Sequence, residues 1–228
     1  ENLTSYECLI KGKVLHHAFK KESLLEALNL FDKAIEDDTN NSQAYAWKAC
    51  AIGQGIFRGF IEDDVDKSWN LAFESVEKAM QLNDNDFECH RMLAEVALSS
   101  HDFKSAEMHA NKCFEMVPND PRVLSVHGEV LVRVGYVDVG LESLERALEL
   151  DPIPQGKKNS DSRISAVLFG NFISRDREKC LEVINKMQTV DIRSWLVTTK
   201  ILDDHRVDRI VKVCLLYTSD AADEGLGV

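Results

Sequence analysis

The chain has 228 residues and a formal net charge of −12, which excludes a broad nucleic-acid surface because phosphate binding needs a basic footprint. With 44% hydrophobic and 29% charged residues and only 4 prolines, the composition fits a folded helical protein and excludes a disordered one. No apolar run approaches membrane-spanning length.

Taken in order, the first apolar periodicity runs from Tyr6 to about His17 around the small residue Gly12. A second, Glu26 to Asp37, carries Ala27, Phe31 and Ala34 on one face and ends at the turn Asp38-Thr39-Asn40-Asn41. A third helix is expected from Ser42 to about Gly53. Its partner carries Ala72, Val76 and Ala79 and ends at Asn83-Asp84-Asn85-Asp86, a run suited to a turn and a helix N-cap.

From Phe87 to Pro154 the sequence repeats with a period of 34 residues. Ala94 falls on Gly128, Ala106 on Gly140, Ala110 on Leu144, Cys113 on Ala147 and Pro118 on Pro152. Each copy holds two amphipathic stripes; in the second copy they run through Val123, Val126, Val130 and Val134, then Val137, Leu141, Leu144 and Leu148. Proline after Asp151 stops the helix, having no N–H and disfavouring a helical residue before it. A helix pair of this kind cannot bury its apolar face alone and must stack on others.

Counting back by the same period brings Ala72, Val76 and Ala79 onto Ala106, Ala110 and Cys113, but the preceding first helix lies 11 residues early. An inserted loop is therefore expected over 54–66. One unit further back, Gly12 to Ala27 spans 15 positions against 12 in the central copies, so a turn three residues longer is expected there. The units are thus about 5–41, 42–86, 87–120 and 121–154.

After Pro154 the pattern weakens. A polar link is followed by one helix through Ile164, Val167, Leu168 and Phe172 and another through Cys180, Leu181, Ile184 and Met187, with Arg175-Asp176 between them. Ile192 to Leu202 and Val207 to about Lys212 read as a shortened sixth pair, making 155–213 a stretch of degenerate and truncated units. Cys214 to Glu224 resembles a translated sequencing adapter, so 214–228 is expected to be a non-native tail. The start at Glu1 without methionine points to a piece of a longer protein.

The 34-residue period, small residues at fixed positions and closing prolines resemble the tetratricopeptide-repeat proteins over residues 5 to about 190. The tryptophan typical early in the first helix is His90 and Leu124 in the central units, while Trp47 is offset. The resemblance implies an all-α fold in which antiparallel helix pairs stack into a right-handed solenoid with a concave groove lined by first helices. Asn2-Leu-Thr-Ser-Tyr6 leading into Ile10-Lys-Gly12, and Trp195-Leu196, resemble repeats that follow a bacterial class III adenylate cyclase or winged-helix regulator domain.

Motifs for chemistry are absent from the sequence. Gly53-Gln-Gly55-Ile-Phe-Arg-Gly59 has the wrong spacing for a dinucleotide loop and follows a helix. Glu62, Asp63, Asp64 and Asp66 lack EF-hand spacing and suit a helix N-terminus. Seven histidines include no HExxH, and six cysteines include no CxxC, so no metal, no cofactor and no catalytic residue are expected. Dispersed cysteines at small-residue positions read as buried reduced thiols of a cytoplasmic protein.

The remaining candidate is a partner-binding groove. Register places Lys13, His16 and His17, then Ala46 and Cys50, then Glu88, Arg91 and Glu95, then Arg122, Ser125, Glu129 and Arg133 on the inward face. Ile56, Phe57, Phe60 and Ile61 add apolar groups from the insertion, with Phe57 and Phe60 as partner contacts. The expected function is non-catalytic binding of a protein or peptide partner, with no nucleic acid and no membrane involved. The alternative is a C-terminal coupling arm of a cyclase or transcription regulator.

Overall fold

The computed structural model describes residues 4–189 and Ser194; the expected sixth pair, Trp195-Leu196 and the tail at 214–228 lie outside them. Ten helices and no strand occur among the described residues. They are α1 Ser5–His16, α2 Lys21–Asp37, α3 Ser42–Phe57, α4 Val65–Leu82 and α5 Phe87–Ser99, then α6 Phe103–Met116, α7 Pro121–Val134, α8 Val137–Leu150, α9 Asp161–Ile173 and α10 Arg177–Ile184.

The helix starts are encoded locally. Thr4 and Glu7 form a reciprocal capping box on α1. Asn41, Asp64, Asp86, Asp102 and Asp176 each accept a backbone N–H at the start of the helix that follows. Asp64 does so from the left-handed region at φ 49°, so the acidic run before α4 supplies its cap.

The two expected loop enlargements are reached differently. The turn between α1 and α2 is residues 17–20, and most of the surplus lengthens α2 to 17 residues. Between α3 and α4 only 58–64 are non-helical, so the expected loop over 54–66 is helical at both ends. Relative to the α5/α6 pair, α3 is three residues longer, the turn four longer and α4 four longer. Helix continues because the added apolar groups find faces to cover: Ile56 and Ile61 pack on the Ala49, Ile52, Ala72 and Val76 cluster.

The chain divides into two compact units, Glu1–Val126 and His127–Val228, with the boundary inside α7. In the first, α1 pairs with α2, α3 with α4 and α5 with α6, and α3 stacks on both α2 and α5. Its core joins Cys8, Leu9, Phe31, Ala34, Trp47, Ala51, Ala79 and Met92, so residues from three successive pairs share one apolar interior. In the second unit, Val132, Leu141, Leu144, Ala166 and Val167 form the core. The small residues at 128 and 140 face each other there. A Cβ added at Gly140 would stand 2.8 Å from the Val132 backbone nitrogen and 2.9 Å from the Gly128 carbonyl oxygen.

Candidate partner-binding site

Trp47 stands at the middle of α3, 3% exposed, and organises the first-helix face of the Glu1–Val126 unit. The Lys13 ammonium lies 4.9 Å from its ring centroid and the Arg91 guanidinium 5.6 Å. His16 and His17 meet the same indole edge-on at 5.4 and 5.5 Å. Lys13 also donates to Gln43 Oε1 at 2.9 Å, and Gln43 Nε2 donates to Asp86 at 3.0 Å.

Behind this cluster, Arg91 is only 5% exposed and donates to Glu95 at 2.6 Å and to Glu88 at 3.0 Å. Glu88 also accepts from Arg122, in the first turn of α7, at 2.5 Å, and Arg122 reaches Asp120 at 2.6 Å. Burial pushes Glu88 up, but Arg91, Arg122 and Lys13 together outweigh it and hold the carboxyl below its usual range. Burial likewise pulls Arg91 down, and Glu95 and Glu88 more than reverse it. Arg91 and Arg122 are thus paired with carboxylates within the fold, and Arg91 serves to fix Glu95 and Trp47 in place.

Beside the cluster lies a cleft of about 170 Å³ lined by His16, Cys50, Gln54, Phe57, Glu95 and Ser99. Cys50 Sγ is 3.6 Å from Glu95 Oε2 and 3.8 Å from His16 Nε2. Burial pushes the thiol well up, with Glu95 adding to it, and pulls His16 down to about 3. Both groups are therefore neutral near pH 7, and this trio holds no thiolate nucleophile. Four buried polar atoms in and behind the cleft lack a hydrogen-bond partner among the described residues: His16 Nδ1, Gln54 Oε1, Trp47 Nε1 and Arg91 Nε.

Phe57 closes the outer rim and is 83% exposed. Its turn is firmly held: Phe60 and Ile61 both donate to the Gly55 carbonyl, at 2.8 and 3.1 Å, and Arg58 stacks on Phe19 at 4.6 Å. Phe60 folds back onto the core, as do Ile56 and Ile61. One of the four apolar groups expected at the surface thus stands clear of it.

Lys13, His16, His17, Arg91, Glu95 and Arg122 are brought together as the register anticipates. Glu129 and Arg133 belong to the second unit, where they pair at 3.5 Å and Arg133 lies 4.8 Å above Phe169. Sequence reasoning missed Trp47, Gln54 and Ser99. The signal for Trp47 was its very misplacement relative to the repeat pattern, and Gln54 falls at the start of the stretch expected as a loop.

Five cysteines, at 8, 50, 89, 113 and 180, are buried and free, while Cys214 lies outside the described residues. No described helix is long and apolar enough to cross a membrane, and no metal-ligating cluster occurs among the described residues.

No family model matches the chain, and no curated protein matches it. Solved structures do. The pilF protein of Pseudomonas aeruginosa is 14% identical with a TM-score of 0.61, covering 98% of this chain and 95% of that one. TTC0263, a thermophilic tetratricopeptide-repeat protein of Thermus thermophilus, is 16% identical with a TM-score of 0.58, covering 94% of this chain and 97% of its own. The chain is built of successive helix pairs, with α5 and α7 starting 34 residues apart, and it matches TTC0263 along nearly the whole length of both chains: the fold is that of the tetratricopeptide repeats.

Proposed function

We propose that this chain is a non-catalytic scaffold that holds a peptide or helix of a partner protein on the first-helix face of residues 1–126. The observation that carries the reading is the cleft beside Trp47. An exposed aromatic ring on a hydrogen-bonded turn stands at its mouth, and two of its lining residues, His16 and Gln54, each carry a buried polar atom without a hydrogen-bond partner among the described residues. Aromatic anchors rimmed by adaptable polar groups are the usual composition of a binding hot spot. In this reading one partner side chain enters the cleft against Phe57, Gln54 and Ser99 read its backbone, and Lys13 and His17 border it. Arg91 and Glu88 hold the walls, and Arg122 lies at the edge.

The test is a selection of displayed random 12-residue peptides on the chain, followed by affinity measurement on variants. Phe57→Asp and Gln54→Ala should each weaken the selected peptides by about tenfold or more. Peptides that bind all variants equally, or a selection that enriches nothing, would remove the support for this site.

A further inference from the structure

Glu95 is the one charged side chain among the residues that line the cleft beside Trp47, and none of them is a lysine or arginine. Its two oxygens are engaged unequally. Oε1 takes the 2.6 Å bond from Arg91, whereas the partner of Oε2 among the described residues is the Cys50 thiol, a weak donor at 3.6 Å. A carboxylate has about four lone-pair sites, and this side chain is 36% exposed, so Oε2 is open to a further donor. Neighbouring charges do not cancel it. Lys13, Arg91 and Arg122 stand among four carboxylates, Asp86, Glu88, Glu95 and Asp120, which leaves one negative charge in surplus. Arg58, which also acts on His16, lies against the Phe19 ring at 4.6 Å and is not part of the lining.

The other lining groups suit the same kind of guest. The exposed Phe57 offers a ring face to a planar cation at the mouth. The Gln54 amide nitrogen is directed to His16 Nε2 at 3.5 Å, which leaves Oε1 as an acceptor. The Ser99 hydroxyl donates to the Glu95 backbone carbonyl at 2.9 Å, so its own oxygen is left to accept. Both acceptors suit the backbone N–H groups of an extended segment. An acidic guest would face Glu95 with no cation in the lining to offset it. A guanidinium donates in its plane to a carboxylate while its face stacks on a ring, a combination an ammonium does not match.

We propose that the residue the cleft takes is an arginine of the partner segment, its guanidinium donating to Glu95 Oε2 and stacking on Phe57. This rests on the proposed function and names the chemistry of its guest. The net charge of −12 favours encounter with a basic segment in the same sense.

The probe is a fluorescein-labelled peptide from the 12-residue selection, chosen because Phe57→Asp weakens it, titrated with the 228-residue chain and followed by anisotropy. Alanine replacement along the peptide should find an arginine as its most sensitive residue. Citrulline there, which keeps the shape without the charge, should weaken binding about tenfold, and lysine about threefold. On Glu95→Gln the arginine and citrulline peptides should bind within about twofold of each other. Phe57→Leu, at an exposed position away from the Arg91 bonds, should cost the arginine peptide about threefold. A Phe57-dependent peptide whose most sensitive residue is acidic or apolar would overturn the arginine and leave the proposed function standing. So would an equal loss to citrulline on the wild type and on Glu95→Gln. A selection that enriches nothing would instead remove the proposed function itself. Replacing Arg193, Arg206 and Arg209 of the chain by glutamine should leave the peptide's affinity unchanged; a rise would give the cleft to the chain's own arginine and overturn the assignment to a partner.

Discussion

Replacing Gly140 by alanine probes the closest approach of two helices in the second unit. Alanine is the better helix former by about 1 kcal/mol, so an unobstructed position would be stabilised. At Gly140 the new methyl would meet Val132 Cγ2 at 2.8 Å, the Val132 backbone nitrogen at 2.8 Å and the Gly128 carbonyl oxygen at 2.9 Å. Two of these three neighbours are backbone atoms of α7, which no rotamer change can clear. The helices must move apart by several tenths of an ångström, loosening Leu141 and Leu144 in the core below. Overpacking of this kind costs about 1–3 kcal/mol, and obstruction by fixed backbone atoms puts this case at about 2–3 kcal/mol, so the net expectation is a loss of about 1–2 kcal/mol after the helix-propensity gain. In a chain of this size that lowers Tm by about 2–8 °C.

Gly53 supplies the contrast within α3. A methyl there would meet only Trp69 side-chain atoms, at 3.6 and 3.7 Å, ordinary contact distances. Gly53→Ala should therefore stabilise by about 0.5–1 kcal/mol. Differential scanning calorimetry and urea unfolding of both variants decide the matter. A Gly140→Ala protein that melts at or above the wild type would refute the helix contact and the repeat register built on it.

Arg91→Met should cost about 1–3 kcal/mol in urea unfolding, because it removes the Arg91 bonds to Glu95 and leaves Glu88 to Arg122 alone beside a buried indole; a loss below about 1 kcal/mol would show that the pairs contribute little. Phe57→Ala should leave the unfolding midpoint within about 0.5 kcal/mol of the wild type, with any larger change contradicting the ring's exposed position. Stability should fall as the solution is acidified from pH 6.5 towards 5. His16, with its ordinary value of 6.5 and a folded value of about 3, binds its proton only in the unfolded chain over that window. Its share is about 2 kcal/mol at pH 5, and His109, lowered to about 4 by burial and by His90 but only half-buried, adds a part reduced by solvent screening. Urea midpoints across this range should vary less in a His16→Gln protein, and parallel profiles would count against a buried neutral imidazole.

The helix pairs were legible because a 34-residue period constrains small residues on both partners at once. Gly128 and Gly140 are informative together, because a Cβ added at either would run into the other's carbonyl oxygen at less than 3 Å. The distribution of the surplus residues between helix and turn was not legible. Counting fixes how many residues are added, whereas helix continuation depends on whether Ile56 and Ile61 find a face to cover. The burial of Arg91 was hidden for a related reason. Its neighbours Trp47 and Cys50 lie 44 and 41 positions earlier, outside the 34-residue frame, so the register put it on the correct face without showing what closes over it.

The insertion and the cleft have one origin. Alignment of α3 with α5 ends at Gln54 opposite Ser99, so Gly55, Ile56 and Phe57 form the added helical segment. Without them the wall formed by His16, Cys50 and Glu95 would open directly to solvent, as an ordinary shallow stretch of first-helix face. The added residues raise that wall, and the turn after it directs Ile61 inward onto Gly55 while leaving Phe57 outside. A repeat surface of mixed, mutually paired charge has little to distinguish one peptide from another. A side pocket with an aromatic lip has more, so under the proposed function specificity would lie with the cleft that the added segment builds and with Phe57 at its lip, rather than with the cations that follow the repeat.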